Sequence, residues 1–153
     1  MLKNERYEFH DLLNVNPGIV LELAKAMHEE SDFSDEPLEM SYLYRLFNHQ
    51  DVFAKAIYDK KSEKYVGGLI GSVSKAFFGP VIRASDFVFF IKQESRGSAA
   101  AAFLLKEFED WAIKKGAKKI YMGSTTGINV EAYCKFLFKF GYKDIGFIAK
   151  KEV

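Results

Sequence analysis

Residues 84–116, ASDFVFFIKQESRGSAAAAFLLKEFEDWAIKKG, decide how the rest of the chain is read. Phe87 to Ile91 is an apolar run of strand length, Lys92 to Ser95 a polar turn, and Arg96-Gly97 the opening of a long helix. Four successive alanines, Ala99 to Ala102, fill the first turns of that helix, and a strongly apolar face follows them. A strand that feeds a helix through small residues leaves backbone N–H groups free at the strand's carboxyl end. The helix dipole adds partial positive charge there, so the spot suits a phosphate or pyrophosphate. Alanines also let the helix backbone lie close to a ligand or a sheet. Such a turn is more often a plain connection than a ligand site, so its neighbours must decide between the two uses.

Outward toward the C-terminus, Lys114-Lys115-Gly116 ends the helix with basic residues in its last turn and glycine just past it. KKIYMGS is then a strand, and the helical crossover makes it parallel to residues 84–91. A second apolar helix over about 129–140 ends at Gly141, and YKDIGFIAKK reads as one or two closing strands. Phe136, Leu137, Phe138 and Phe140 leave little polar surface on that last helix, which is expected to be buried nearly all round. The cover is either intramolecular or an apolar dimer face shared with the closing strands.

Outward toward the N-terminus, residues 81–91 belong to an antiparallel meander with VFAKAIYD and YVGGLIGSVSK, joined by the polar turn Asp59 to Lys64. Gly67, Gly68 and Gly71 suggest a bulge or a close neighbour in the middle strand. Asn16-Pro17 starts a helix over 17–30, with Ile19, Val20, Leu23, Ala24 and Met27 at helical spacing. Leu38, Met40, Leu43, Leu46 and Phe47 mark a second, shorter helix, and residues 7–13 a first strand. The sum is an α+β chain: two helices, a meander, one strand–helix–strand crossover, then a helix and edge strands.

With 153 residues, 48% of them hydrophobic and 16% aromatic, the chain suits one packed domain over 1–153. A formal charge of +1 provides no field to draw nucleic acid or an anionic membrane. Cys134 stands alone, which excludes a cysteine-rich metal site and favours a reducing compartment. No run of eighteen apolar residues occurs and MLKNERYEFHD carries no apolar signal core, so the expectation is a soluble cytoplasmic protein without a metal.

In this order, these residues resemble the GNAT superfamily of N-acetyltransferases. FFIKQESRGSAAAAFLLKEFEDWAIKKGAKKIYM is similar to the family's acetyl-coenzyme-A segment, and AYCKFLFKFGYKDIGF to its last helix and Gly-Phe turn. The resemblance implies a mixed, mainly antiparallel sheet with helices on both faces and a parallel strand pair that splays apart around acetyl-CoA as co-substrate. The family's Arg/Gln-x-x-Gly-x-Gly/Ala turn maps onto Arg96, Gly97, Ser98, Ala99, Ala100 and Ala101, where Ala99 replaces the usual central glycine. A helical residue needs no positive φ, so that alanine is tolerated with somewhat weaker binding. The resemblance also assigns a backbone N–H near Phe90 or Ile91 to the thioester carbonyl and counts Asn129 among the cofactor-binding positions.

For catalysis, a lysine-like amine of pKa about 10.4 is neutral only about 0.04% of the time at pH 7, so a proton acceptor helps. Asp86 falls near the family's strand-borne base, and simple alternation puts it on the face of Val88 and Phe90. The family's helix tyrosine, its general acid, falls on Leu137 or Phe136, neither of which has a hydroxyl. Tyr133, one turn before Leu137 on the same face, is the substitute. Glu29, Glu30, Asp32, Asp35, Glu36 and Glu39 crowd the connection that walls the family's acceptor site, which favours a cationic amine. Two readings follow: an acetyl-CoA-dependent N-acetyltransferase, or a CoA-binding regulatory or partner-binding protein that has lost catalysis. A homodimer is one of the two ways left open for covering the last helix, and neither nucleic acid nor a membrane is expected as partner.

Overall fold

Helix starts and strand partners together account for the order of elements in the computed structural model, which describes residues 3–124 and 126–153. β1 is Tyr7–Asp11, and α1 is Pro17–Glu30. The Asn16 side chain accepts from the Gly18 N–H at 2.8 Å at the start of α1, with proline in the first turn. α2 spans Met40–Phe47, β2 Val52–Asp59, β3 Lys64–Lys75 and β4 Ile82–Ile91. α3 covers Ala100–Lys114, β5 Lys119–Tyr121 and α4 Val130–Lys139.

The five strands form one sheet in the order β1-β2-β3-β4-β5, antiparallel except for the parallel pair β4–β5. Alternation along the strands sends consecutive residues to opposite faces. Ile57 and Leu69 join Phe53, Leu104 and Phe108 under α3, whereas Ala56 and Ile70 join Val20, Leu23 and Phe47 under α1 and α2. The fold is therefore the expected α+β sheet with helices on both faces. At the far end of the β2–β3 hairpin, Asp59 accepts two hydrogen bonds from Arg6, one from the Lys61 N–H and one from the Ser62 hydroxyl. The Arg6 guanidinium chiefly holds that carboxyl well below the usual carboxylate range.

Three expectations are corrected. The closing strands over 142–151 do not form, and residues 142–153 have no regular structure. A strand takes its backbone partners from a neighbour, and an apolar sequence alone cannot supply one. The last helix is not buried all round: Leu137 is buried, but Phe138 and Phe140 are 49% and 45% exposed. α4 packs on the sheet through Tyr133 and Phe136 against Phe89. Finally, α3 begins at Ala100 rather than at Gly97, whose φ of +82° is non-helical.

Candidate active site

The site begins where two parallel strands part. β4 and β5 stay paired over Arg83↔Lys119, Ala84↔Ile120 and Ser85↔Tyr121, and no further. One residue beyond the last pair the β3–β4 register shifts: Gly71 opposes Asp86, Ile70 opposes Val88, and Phe87 is the extra residue. A bulge bends its strand and raises the local twist, which carries β4 away from β5 from this point on. The glycines of β3 make the tight packing possible. A Cβ on Gly71 would stand 2.6 Å from the Phe108 ring, and one on Gly67 2.3 Å from the Phe90 carbonyl oxygen.

The bulge also changes which way Asp86 faces. Before it, Ala84 lies under α3; after it, Phe89 and Ile91 lie on that face while Val88 packs under α1 and α2. Asp86 keeps the parity of Ala84, so it shares the face of Phe89, not that of Val88 and Phe90 as simple alternation implied. It thereby meets α4. Main-chain directions sort Phe90 from Ile91 in the same way. The Lys92 N–H donates to the Val66 carbonyl of β3, so the groups of residues 90 and 92 point into the sheet. Those of Phe89 and Ile91 point to the open edge, and the Ile91 carbonyl accepts from Arg96 Nε at 2.8 Å. Ile91, rather than Phe90, offers its N–H to the gap.

Above the gap, the turn expected to hold a pyrophosphate has a free set of donors. No described residue accepts from the N–H groups of Gly97, Ser98 or Ala99, and those of Ala101 and Ala102 lie in the unsatisfied first turn of α3. The Ser98 hydroxyl accepts from the Ala100 N–H at 3.3 Å. Ala99 has φ −74° and ψ −5°, right-handed backbone in which alanine carries no penalty. Arg96 is the departure. Its guanidinium is clamped by both carboxylate oxygens of Glu30, at the end of α1, and lies 5.5 Å from the Phe90 ring. That pairing holds Glu30 below the usual carboxylate range. A hollow of about 300 Å³ beside the turn is lined by Arg6, Lys64, Lys92 and Arg96, of which Arg6 and Lys92 are already paired with Asp59 and Glu22.

Below the gap stand the groups suited to proton transfer. Asp86 Oδ1 accepts from the Gly123 N–H at 3.0 Å, bridging the strands where they separate. Its carboxyl is enclosed by protein on most sides, though part of its surface stays open, and desolvation raises its pKa to about 6 against the pull of the Gly123 bond. The Tyr133 hydroxyl is withdrawn from solvent and makes no hydrogen bond of ordinary length, yet it is near enough to Asp86 for each to shift the other. Desolvation first, and then the Asp86 charge, push the Tyr133 hydroxyl well above the usual phenol range. Tyr142, which the sequence reading passed over, belongs to the same cluster: its hydroxyl donates to Glu109 Oε2 at 2.9 Å and is likewise pushed up by burial. A tyrosine directly after the glycine that ends α4 was the available signal.

A cavity of about 1740 Å³ opens beside this cluster, lined by Gly123, Tyr133, Tyr142, Asp35 and Glu36 among others. The six carboxylates of the α1–α2 connection are thus divided. Glu30 pairs with Arg96; Asp32, Asp35 and Glu36 line the cavity, Asp32 while paired with Lys150; Glu29 and Glu39 are not part of its lining. Asn129 is exposed, its side chain caps nothing, and it holds a left-handed φ of 43° that starts α4. The described residues contain no group of three or more His, Cys, Asp or Glu side chains placed to hold a metal. No helix among them is long and apolar enough to cross a membrane.

The parted parallel strand pair thus lies between a turn with free N–H donors and the cluster of Asp86, Tyr133 and Tyr142. The family model of the acetyltransferase (GNAT) family matches residues 20–142, and the chain belongs to that family. Solved structures agree on the fold. An aminoglycoside acetyltransferase from an uncultured soil metagenomic sample is 18% identical, with a TM-score of 0.71 over 96% of this chain and 98% of that one. A Trypanosoma brucei acetyltransferase is 12% identical, with a TM-score of 0.73 over 96% and 99%. Glucosamine-6-phosphate N-acetyltransferase from Arabidopsis thaliana is 10% identical, with a TM-score of 0.71 over 97% and 99%. No curated protein matches the chain.

Proposed function

We propose that this chain is an N-acetyltransferase that moves an acetyl group from acetyl-CoA to a primary amine. The observation that carries the reading is the Asp86 carboxyl, held by the Gly123 N–H at 3.0 Å at the point where β4 and β5 part. The chain's groups fit the co-substrate: free N–H donors at Gly97 to Ala102 for its phosphates, and an open β4 edge at Phe89 and Ile91 for its amide arm. When bound, the thioester supplies an activated acetyl carbon. The Ile91 N–H is the donor available to its carbonyl oxygen. Asp86 takes the proton of the incoming ammonium, and the Tyr133 hydroxyl, kept protonated by burial, gives its proton to the departing sulfur. Asp35 and Glu36 along the cavity wall favour an acceptor that carries positive charge.

Turnover of acetyl-CoA against a panel of amines, followed by thiol release, tests the proposal. Release no faster than hydrolysis, with coenzyme A binding retained in calorimetry, rejects it. The alternative, a CoA-binding regulatory protein without catalysis, draws on two observations: Leu137 and Phe136 lack a hydroxyl, and Glu30 neutralises Arg96. Binding without turnover across the panel would favour that second reading.

Two variants sharpen the assignment. Tyr133→Phe is expected to lower kcat by about 10–100-fold with little change in KM, because a thiol of pKa about 8.5 leaves tolerably well unprotonated. Tyr142→Phe, whose hydroxyl is committed to Glu109, is the comparison that should retain most activity. Glu30→Gln removes the carboxylate that cancels Arg96 and is expected to tighten coenzyme A binding about 3–10-fold in calorimetry. An unchanged dissociation constant would mean that Arg96 does not face the phosphates.

A further inference from the structure

The β3–β4 hairpin ends in an apolar tip that the fold leaves outside. β2 pairs with β3 no further than Val52↔Ser72, and β5 pairs with β4 from Arg83 onward. Ser74, Lys75 and the turn therefore project past both neighbouring strands. The Ala76 N–H closes the turn on the Val81 carbonyl at 2.9 Å. Phe77 and Phe78 stand at the apex, 97% and 74% exposed, and meet edge to face with ring centroids 5.0 Å apart. Val81 beside them is also exposed. An exposed apolar patch rimmed by charge marks an interaction surface, and the rim here is strongly charged.

Lys75 closes β3, and the Arg83 guanidinium lies 5.7 Å from the Phe78 ring and 5.0 Å from that of Tyr121. The α3–β5 turn, which brings Lys114, Lys118 and Lys119, abuts the base of the hairpin. There the Lys118 N–H donates to the Ile82 carbonyl at 2.9 Å, and Lys119 is the sheet partner of Arg83. None of these five cations is ion-paired with a carboxylate among the described residues. Of the acidic residues toward this end, Asp110 is held by Lys106, and Asp51 accepts from the Val73 N–H through its carbonyl. A formal charge of +1 for the whole chain conceals this local excess. We propose that the hairpin tip docks on an anionic lipid surface. Phe77 and Phe78 enter the headgroup layer, and Lys75, Arg83, Lys114, Lys118 and Lys119 rest at the level of the lipid phosphates.

Shape and charge together favour that occupant. A projecting apex with a basic rim suits a soft, negatively charged layer that it can enter. A second copy docked through the same face would set two basic rims against each other, which opposes binding. Single-stranded nucleic acid is held in basic grooves where its bases stack on free aromatic faces. Here the two rings meet each other and Arg83 lies over Phe78. Docking also leaves the coenzyme turn clear of the layer. β4 runs ten residues from the tip to Ile91, about 33 Å at about 3.3 Å per residue, and the Gly97 to Ala102 turn lies beyond that far end.

Co-sedimentation of the full chain with vesicles tests the proposal. Binding is expected to phosphatidylcholine vesicles that contain phosphatidylserine, and to be at least about tenfold weaker to phosphatidylcholine alone or at about 0.5 M salt. Phe77→Ser combined with Phe78→Ser should lower partition at least about tenfold yet melt with the wild type, since neither ring belongs to the core. Lys114→Gln, Lys118→Gln and Lys119→Gln together should lower it about 100-fold, each lysine near an anionic surface being worth about fivefold. Lys60→Gln with Lys61→Gln, at the opposite end of β3, is the charge control and should bind as the wild type does. A polarity-sensitive dye on Phe77→Cys, in a Cys134→Ser background, should shift to the blue on the anionic vesicles. No binding, equal binding to neutral vesicles, an unmoved dye or an aromatic variant that binds normally each overturns the proposal. So does a single-stranded oligonucleotide that binds more tightly than the vesicles and is lost by the aromatic variant. None of these readouts depends on turnover, so the proposed reaction can fail while this inference stands.

Discussion

Asp86→Asn is expected to lower kcat/KM for acetyl transfer by about 10²–10⁴-fold while leaving coenzyme A affinity unchanged. The amide keeps the shape of the carboxyl and can still accept from the Gly123 N–H, so the parting of β4 and β5 is preserved. What it loses is the capacity to take a proton. The wild-type profile of kcat/KM should rise as pH increases through about 6, where Asp86 ionises, and the variant should lack that limb. Stability moves the other way. The folded protein binds the Asp86 proton more tightly than the unfolded chain, whose carboxyl titrates near 3.8, so wild-type stability falls as pH rises from about 4 to about 6. Above that window the buried carboxylate costs on the order of 1–3 kcal/mol, which the neutral amide avoids. Asp86→Asn should therefore melt higher than wild type at pH 8 and no higher at pH 4. A variant with full activity and an unchanged pH profile would remove Asp86 from the mechanism.

A second large effect is expected at Gly71. A methyl group there would stand 2.6 Å from the Phe108 ring and 2.8 Å from the Ser85 carbonyl oxygen. Neither neighbour can yield easily. Phe108 is fully buried and packs against Phe53 and Trp111, and Ser85 makes the last pair with β5. Gly71→Ala is expected to cost about 2–3 kcal/mol, or roughly 4–12 °C in melting temperature for a chain of this size. Because Gly71 opposes Asp86 at the bulge, kcat should also fall at temperatures where the variant is still folded. Gly79→Ala is the control, since its added Cβ meets nothing within 4 Å. Equal melting temperatures for the two variants would show that the bulge is not held by this packing.

Periodicity and capping in the chain were enough to place β2 at Val52–Asp59 and α1 at Pro17–Glu30, and to make β4 and β5 parallel. Those properties are local, or follow from a helical crossover, and neighbouring residues carry them. Asp86, Tyr133 and the Gly97 to Ala101 turn were visible as chemistry by type and position. Their arrangement was not. A one-residue bulge at Phe87 turns Asp86 toward α4, and strand alternation cannot reveal it because it arises from a register against β3. The clamp of Glu30 on Arg96 joins residues 66 positions apart, and Tyr142 enters the site only because α3 presents Glu109 to it. Residues 142–153 show the same division: their apolar composition is written in the chain, but a strand exists only where an edge accepts it, and among the described residues none does.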